Sequence, residues 1–254
     1  MQPLLRTICI CCFLISCSVK PSIKYLTDLE QENIKGNVTK LVTNTYNIDS
    51  TGKMEGLESE NIEIFNSLGY TITDTNRNLV DKNEMVNFFI YNKNGSLSSV
   101  SMFENGNKLS RMLWEYDNTG KCTGCKIYDA TDKLESYYSN ISQTAHGLLK
   151  NVDSYNANGK LTMSYLNEYD SIYQIGATAK DSLGKLSQAV KIHLTAGKEP
   201  ENVVETTYIK DSIINNSTSY QYKIWDKSGN WLEQTSFDEK GKAIKMTKRV
   251  FSYR

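Results

Sequence analysis

The sequence predicts an all-β fold, a curved and largely single-layer antiparallel meander of repeated hairpins with Asp/Asn-x-x-Gly turns. Three observations carry that expectation. The unit Trp225-Asp226-Lys227-Ser228-Gly229 returns twelve residues later as Phe237-Asp238-Glu239-Lys240-Gly241, and it recurs along most of the chain. Between units the side chains alternate with period two, Tyr220, Tyr222 and Ile224 against Gln221, Lys223 and Trp225. After residue 37 no stretch carries a helical period.

The unit has a local cause. Asp or Asn at the first position of a type I turn accepts hydrogen bonds from backbone N–H groups further along. Gly at the fourth position takes the left-handed conformation that closes the turn into a hairpin with a bulge. The aromatic before it ends the incoming strand. Further copies stand at residues 48–52, 65–69, 91–95, 116–120, 128–132, 155–159, 169–173 and 180–184, with a shorter variant at 103–106. A spacing of twelve holds one strand and its turn, so successive units fall on opposite edges of the meander. Residues 74–84 and 195–202, the latter with Pro200, break the series and are expected to be longer loops.

Composition supports thin sheets. Hydrophobic residues make up 39% of the chain, while sixteen Tyr supply apolar area with a hydroxyl that reaches water. Basic and acidic residues balance at 29 each without long blocks, which excludes a nucleic-acid groove or a polybasic membrane patch.

The chain begins as an exported protein does. Arg6 precedes the apolar run 7–15, too short to span a bilayer. The run ends Leu14-Ile15-Ser16-Cys17, which resembles the lipobox of bacterial lipoproteins. That resemblance implies a signal peptide over 1–16 and lipidation of Cys17. The acyl chains would anchor the protein in a membrane, each CH₂ contributing about 0.8 kcal/mol. Ser18 follows, and the missing Asp resembles an outer-membrane address, with the periplasmic or surface face left open. Residues 17–36 then form a tether with one helical turn near 26–34, and 37–254 form a single repeat domain.

Tyr116-Asp117-Asn118-Thr119-Gly120-Lys121 resembles the YD repeat of RHS-type proteins, and Ile34-Lys35-Gly36-Asn37-Val38 resembles the opening of repeat lipoproteins of that kind. Gly229-Asn230-Trp231 and Arg249-Val250-Phe251-Ser252-Tyr253 resemble their final repeats. Over residues 34–254 the chain is thus similar to the RHS/YD-type β-repeat lipoproteins of Gram-negative bacteria. The resemblance implies an antiparallel sheet that curls as it grows, with Gly229-Asn230-Trp231 closing it.

Candidate chemistry is sparse. Cys122-Thr123-Gly124-Cys125 enters a strand, so it lacks the helix N-terminus that activates a redox dithiol. A local disulfide between Cys122 and Cys125, or two thiols on opposite faces, is the expectation instead. No second Cys pair supplies a structural zinc site, and His146 and His193 belong to no ligand spacing. Glu58 and Glu60 are expected to face solvent. Aromatics at strand ends, Trp225 among them, are assigned to cross-strand packing. Asp170-Ser171-Ile172, Asp181-Ser182-Leu183 and Asp211-Ser212-Ile213 resemble a short O-glycosylation sequon.

The expected function is therefore non-enzymatic, without catalytic residue, cofactor or metal. A membrane-anchored repeat lipoprotein would present a β surface to a protein or glycan partner. The competing expectations are an envelope enzyme with a site assembled from scattered residues such as His146 or His193, and a scaffold or immunity partner of a toxin. Ionisable groups converging in a deep pocket would count for the enzyme and against the non-enzymatic reading.

Overall fold

Apart from the one at Asn92, whose side chain donates to the Ser96 hydroxyl instead, the Asp/Asn-x-x-Gly units reverse the chain with the same set of bonds. At Asp117 the Gly120 N–H donates to the Asp117 carbonyl at 3.0 Å and the Asp117 N–H to the Lys121 carbonyl at 2.9 Å. The Asp117 carboxylate accepts from the Thr119 and Lys121 N–H groups at 2.8 and 3.0 Å. Gly120 has φ +82°, the left-handed conformation this turn requires. The Thr119 hydroxyl also donates to that carboxylate and holds its pKa below the usual range.

A computed structural model describes residues 23–209 and 212–254, and the turns there connect sixteen antiparallel strands. In order these are β1 (Val38–Ile48), β2 (Met54–Phe65), β3 (Thr71–Asn78), β4 (Asn83–Tyr91), β5 (Leu97–Glu104) and β6 (Asn107–Tyr116). Next come β7 (Cys122–Asp129), β8 (Leu134–Gln143), β9 (Leu149–Asn156), β10 (Leu161–Asp170) and β11 (Tyr173–Asp181). The last are β12 (Leu186–Leu194), β13 (Pro200–Ile209), β14 (Ser212–Trp225), β15 (Trp231–Phe237) and β16 (Ala243–Tyr253). The expected loop over 74–84 is instead the end of β3, a tight turn and the start of β4. The expected loop over 195–202 is a tight turn followed by β13, with Pro200 at the first strand position, where it is tolerated.

Each strand pairs with its sequence neighbours, and β1 pairs with β16 from Val38 opposite Tyr253 to Asn47 opposite Lys245. The sheet is therefore a closed barrel, which corrects the open, curved meander expected from the sequence. Twist accumulated over sixteen strands brings the first to the last, and their pairing removes both exposed edges. Closure runs through β1 and β16 rather than through Gly229-Asn230-Trp231.

Alternation gives the wall two faces. Leu41, Thr43 and Arg249 point inward, and so do Glu63 and Asp74, which stand opposite each other on β2 and β3. Outward, Glu233, Lys248, Asn44, Glu60, Arg77 and Glu84 form one continuous row across β15, β16, β1, β2, β3 and β4. Arg77 bridges Glu60 at 2.8 Å and Glu84 at 2.7 Å within it. Glu60 thus faces out in an ion pair, and Glu58 pairs with Lys245 at 2.9 Å.

The core lies at one end. Leu41 (0% exposed), Val38 and Phe65 of the wall pack against Leu29 and Ile34 of the N-terminal segment, while Cys122, Ile141 and Val152 form a second cluster. The segment read as a tether is, from Ile23 onward, packed structure. It contains the one-turn helix α1 (Asp28–Gln31), whose Thr27 and Glu30 form a reciprocal capping box. Cys17 and the signal peptide lie outside the described residues.

Candidate functional site

The N-terminal segment crosses the barrel mouth and is tied to turn after turn around its rim. The Tyr25 hydroxyl donates to the Gly120 carbonyl at 2.6 Å. Its ring lies where a Cβ on Gly147 would stand 2.5 Å from it, so that turn needs glycine for contact as well as for φ +79°. Asp28 accepts from the Thr71 N–H at 2.7 Å and the Tyr91 hydroxyl at 2.8 Å. Asn33 donates to the Gly197 carbonyl at 2.9 Å and to Glu199 at 3.0 Å.

Asn230 completes the clamp. Its side chain accepts from the Lys35 N–H at 2.7 Å and donates to the Lys35 carbonyl at 2.8 Å, as a neighbouring strand would. It also donates to the Tyr253 hydroxyl at 2.8 Å, and Tyr253 in turn donates to Asp226. Asp226 accepts from the Ser228 and Asn230 N–H groups, and Asp238 from those of Lys240 and Lys242. Both carboxylates serve their own turns.

The segment leaves a chamber on either side. One, of about 370 Å³, is lined by Tyr25, Trp114, Tyr116, Cys122, His146 and Tyr169 among others. Its tyrosine hydroxyls are already engaged: Tyr116 donates to the Leu97 carbonyl at 2.6 Å, Tyr169 to that of Leu149 at 2.9 Å and Tyr91 to Asp28.

The other chamber, of about 530 Å³, is walled by Tyr173, Tyr220, Tyr222 and Trp231, with Glu32, Glu199, Lys198 and Arg249 supplying charge. The Arg249 guanidinium lies over the Trp231 ring, 3.9 Å from its centroid. It makes no hydrogen bond or ion pair among the described residues, and its Nε is buried without a partner. Burial pulls Arg249 below its usual pKa, while Glu32, Glu63 and Glu199 act in the opposite sense.

Burial also raises the carboxyls. Glu199 is raised by burial, against hydrogen bonds from Asn33 and Trp231. Burial raises both Glu32 and Glu63, whose carboxyls lie within electrostatic range of each other. Glu63 reaches about 8, driven first by burial and then by the charges of Glu32 and Asp74. The folded protein therefore binds more protons than the unfolded chain between about 4.5 and 8, and stability is expected to fall as pH rises through that window. Thermal melts at pH 5 and pH 8.5 check this. Glu63→Gln should flatten the difference, and an equal pH effect in that variant contradicts the assignment.

The sequence-stated candidates lie apart from this chamber. Cys122 and Cys125 are free thiols, not a disulfide. A bulge at Thr123, between them, places Cys125 opposite Trp114 and Cys122 opposite Tyr116, both on the inner face. Burial pushes the thiols up to about 11 for Cys122 and about 12 for Cys125, so neither is a ready nucleophile. His146 lines the smaller chamber and His193 lies on β12, so the two do not come together. Ser171 and Ser182 sit in turns, and Asp211 lies outside the described residues.

Sequence reasoning missed Arg249, Glu32 and Glu199. The one available signal was that Arg249 opens a stretch of the family resemblance.

No protein-family model and no curated protein matches the chain. Among solved structures it resembles a porin-like protein from Bacteroides uniformis at 12% identity and TM-score 0.56, over 92% of this chain and 100% of that one. A porin-like protein from Bacteroides vulgatus matches at 9% identity and TM-score 0.29, over 85% of this chain and 98% of that one. The Photorhabdus luminescens Tc holotoxin pore matches at 11% identity and TM-score 0.22, over 82% of this chain but 16% of that one. The first likeness is one of fold, and it agrees with the closed all-β barrel.

Proposed function

We propose that this is a non-enzymatic, lipid-anchored barrel of the bacterial cell envelope that binds a glycan in the larger chamber at its plugged mouth. One observation carries the reading. Four aromatic rings surround a chamber of about 530 Å³ that also holds an unpartnered guanidinium and two carboxyls. Rings that stack on sugar faces beside donors and acceptors for hydroxyls fit an oligosaccharide of two or three units, and the volume lies within the range of small-ligand sites.

The outer wall supports an anchored barrel rather than a spanning one. Its charged row and the Lys126–Glu115 pair at 2.6 Å would face lipid, where each Lys or Arg near the midplane costs about 2–4 kcal/mol. Exposed large apolar side chains stand on β2, β3, β4, β6, β10, β14 and β16, on the same strands as several of these charged pairs. The lipobox-like Cys17 stands six residues before Ile23, a reach of at most about 20 Å, so the plugged mouth would face the membrane. The resemblance to YD-repeat lipoproteins points to the same compartment.

The test is a glycan array probed with the full chain in detergent. Saturable binding that is lost in Trp231→Ala is expected, and no binding to any glycan sinks the reading. The enzyme reading has one observation behind it, the convergence of Glu32 and Glu199 on the chamber with raised pKa values. Cleavage of a bound glycan that stops in Glu199→Gln would establish it in place of simple binding.

A further inference from the structure

We infer that the ligand of the larger chamber carries a carboxylate, which Arg249 receives through its guanidinium fork. This rests on the glycan reading of that chamber and narrows it to acidic sugars.

A guanidinium presents five N–H donors in a fixed plane and stays charged, so a buried one without acceptors is costly. Here the guanidinium stacks on Trp231 and its Nε meets no acceptor among the described residues, although three carboxyls lie within electrostatic range. None of the three comes within ion-pair distance, and two are otherwise engaged. Glu199 accepts from Asn33 at 3.0 Å, and Glu63 accepts from Asn61 at 3.2 Å. The wall thus keeps Arg249 in place by its flat face on Trp231 and leaves its edge unmatched.

A planar acid is the group that meets such an edge with two parallel hydrogen bonds. The charges facing the chamber permit it. Arg249 and Lys198 supply positive charge, while burial biases Glu32 and Glu199 toward their neutral forms. Lys198 pairs with Asp170 at 2.6 Å on the rim, which leaves Arg249 as the inner receptor. Trp231 and Tyr222, with centroids 5.4 Å apart, would then take the sugar ring beside the acid.

Calorimetry on the full chain in detergent tests this with digalacturonate, its dimethyl ester and cellobiose. The acid is expected to bind about tenfold or more tightly than its ester. Arg249→Gln should abolish that preference, and Arg249→Lys should retain part of it. If acid and ester bind equally, the carboxylate inference is wrong and the glycan reading stands. If none of the three binds, both are wrong. The comparison of acid with ester needs only the wild-type protein, so it stands even if a variant fails to fold.

Discussion

Leu41→Ala is expected to lower the unfolding free energy by about 2–5 kcal/mol, the range for truncating a buried leucine that leaves a cavity. Leu41 is wholly buried where β1 joins β16, with Phe251 and Glu63 opposite it on the neighbouring strands. It packs in the cluster with Leu29 and Ile34 of the plugging segment, so one side chain serves both the barrel seam and the plug. Strands alone cannot relax into the space, because both neighbours are fixed by pairing. Urea unfolding followed by circular dichroism measures the effect. A loss below about 0.5 kcal/mol, the scale of an ordinary surface change, would mean that the seam is not packed as described.

Asn230→Leu should cost about 2 kcal/mol or more, because it strands the Lys35 N–H and carbonyl together, at about 1–3 kcal/mol for each buried group. Asn230 is 4% exposed, so water does not readily replace it. The effect should be local. Hydrogen exchange is expected to accelerate at Lys35 and through the plugging segment, while amides of β8 and β9, across the barrel, keep their protection. Asn230→Asp keeps the acceptor for the Lys35 N–H and loses both side-chain donors, so it should fall between the two. Uniform acceleration over the whole barrel would show that Asn230 supports the wall rather than the plug.

The turns were largely legible in the sequence because their chemistry is local. Asp117, Asn156 and Asp238 bond to their own backbone, and the glycines that follow take positive φ. The turns that escaped are those with substituted parts. Thr144 and Thr195 replace the acid, each hydroxyl accepting from the backbone at 3.2 Å. Lys198 stands at φ +69° where the pattern expects Gly.

Closure was not legible, because a period of two is the same in an open sheet and a barrel. Only the pairing of Val38 with Tyr253, more than two hundred residues apart, distinguishes them. The chamber was hidden for the same reason. Glu32, Glu199 and Arg249 meet through three-dimensional closure, and no spacing in the sequence links them. Gly229-Asn230-Trp231 did stand out. Its role is to clamp Lys35 through Asn230 and to floor the chamber with Trp231.

The central claim is that a glycan occupies the chamber beside Trp231, and the chain's three tryptophans allow a direct measurement. Trp114 faces the smaller chamber and Trp225 is 46% exposed, so Trp114→Phe and Trp225→Phe together leave Trp231 as the sole reporter. Titrating that variant with glycans found on the array should give a saturable change in its fluorescence, with the same affinity as calorimetry. Binding that leaves Trp231 fluorescence unchanged would contradict the account, because the ligand would then sit elsewhere on the barrel.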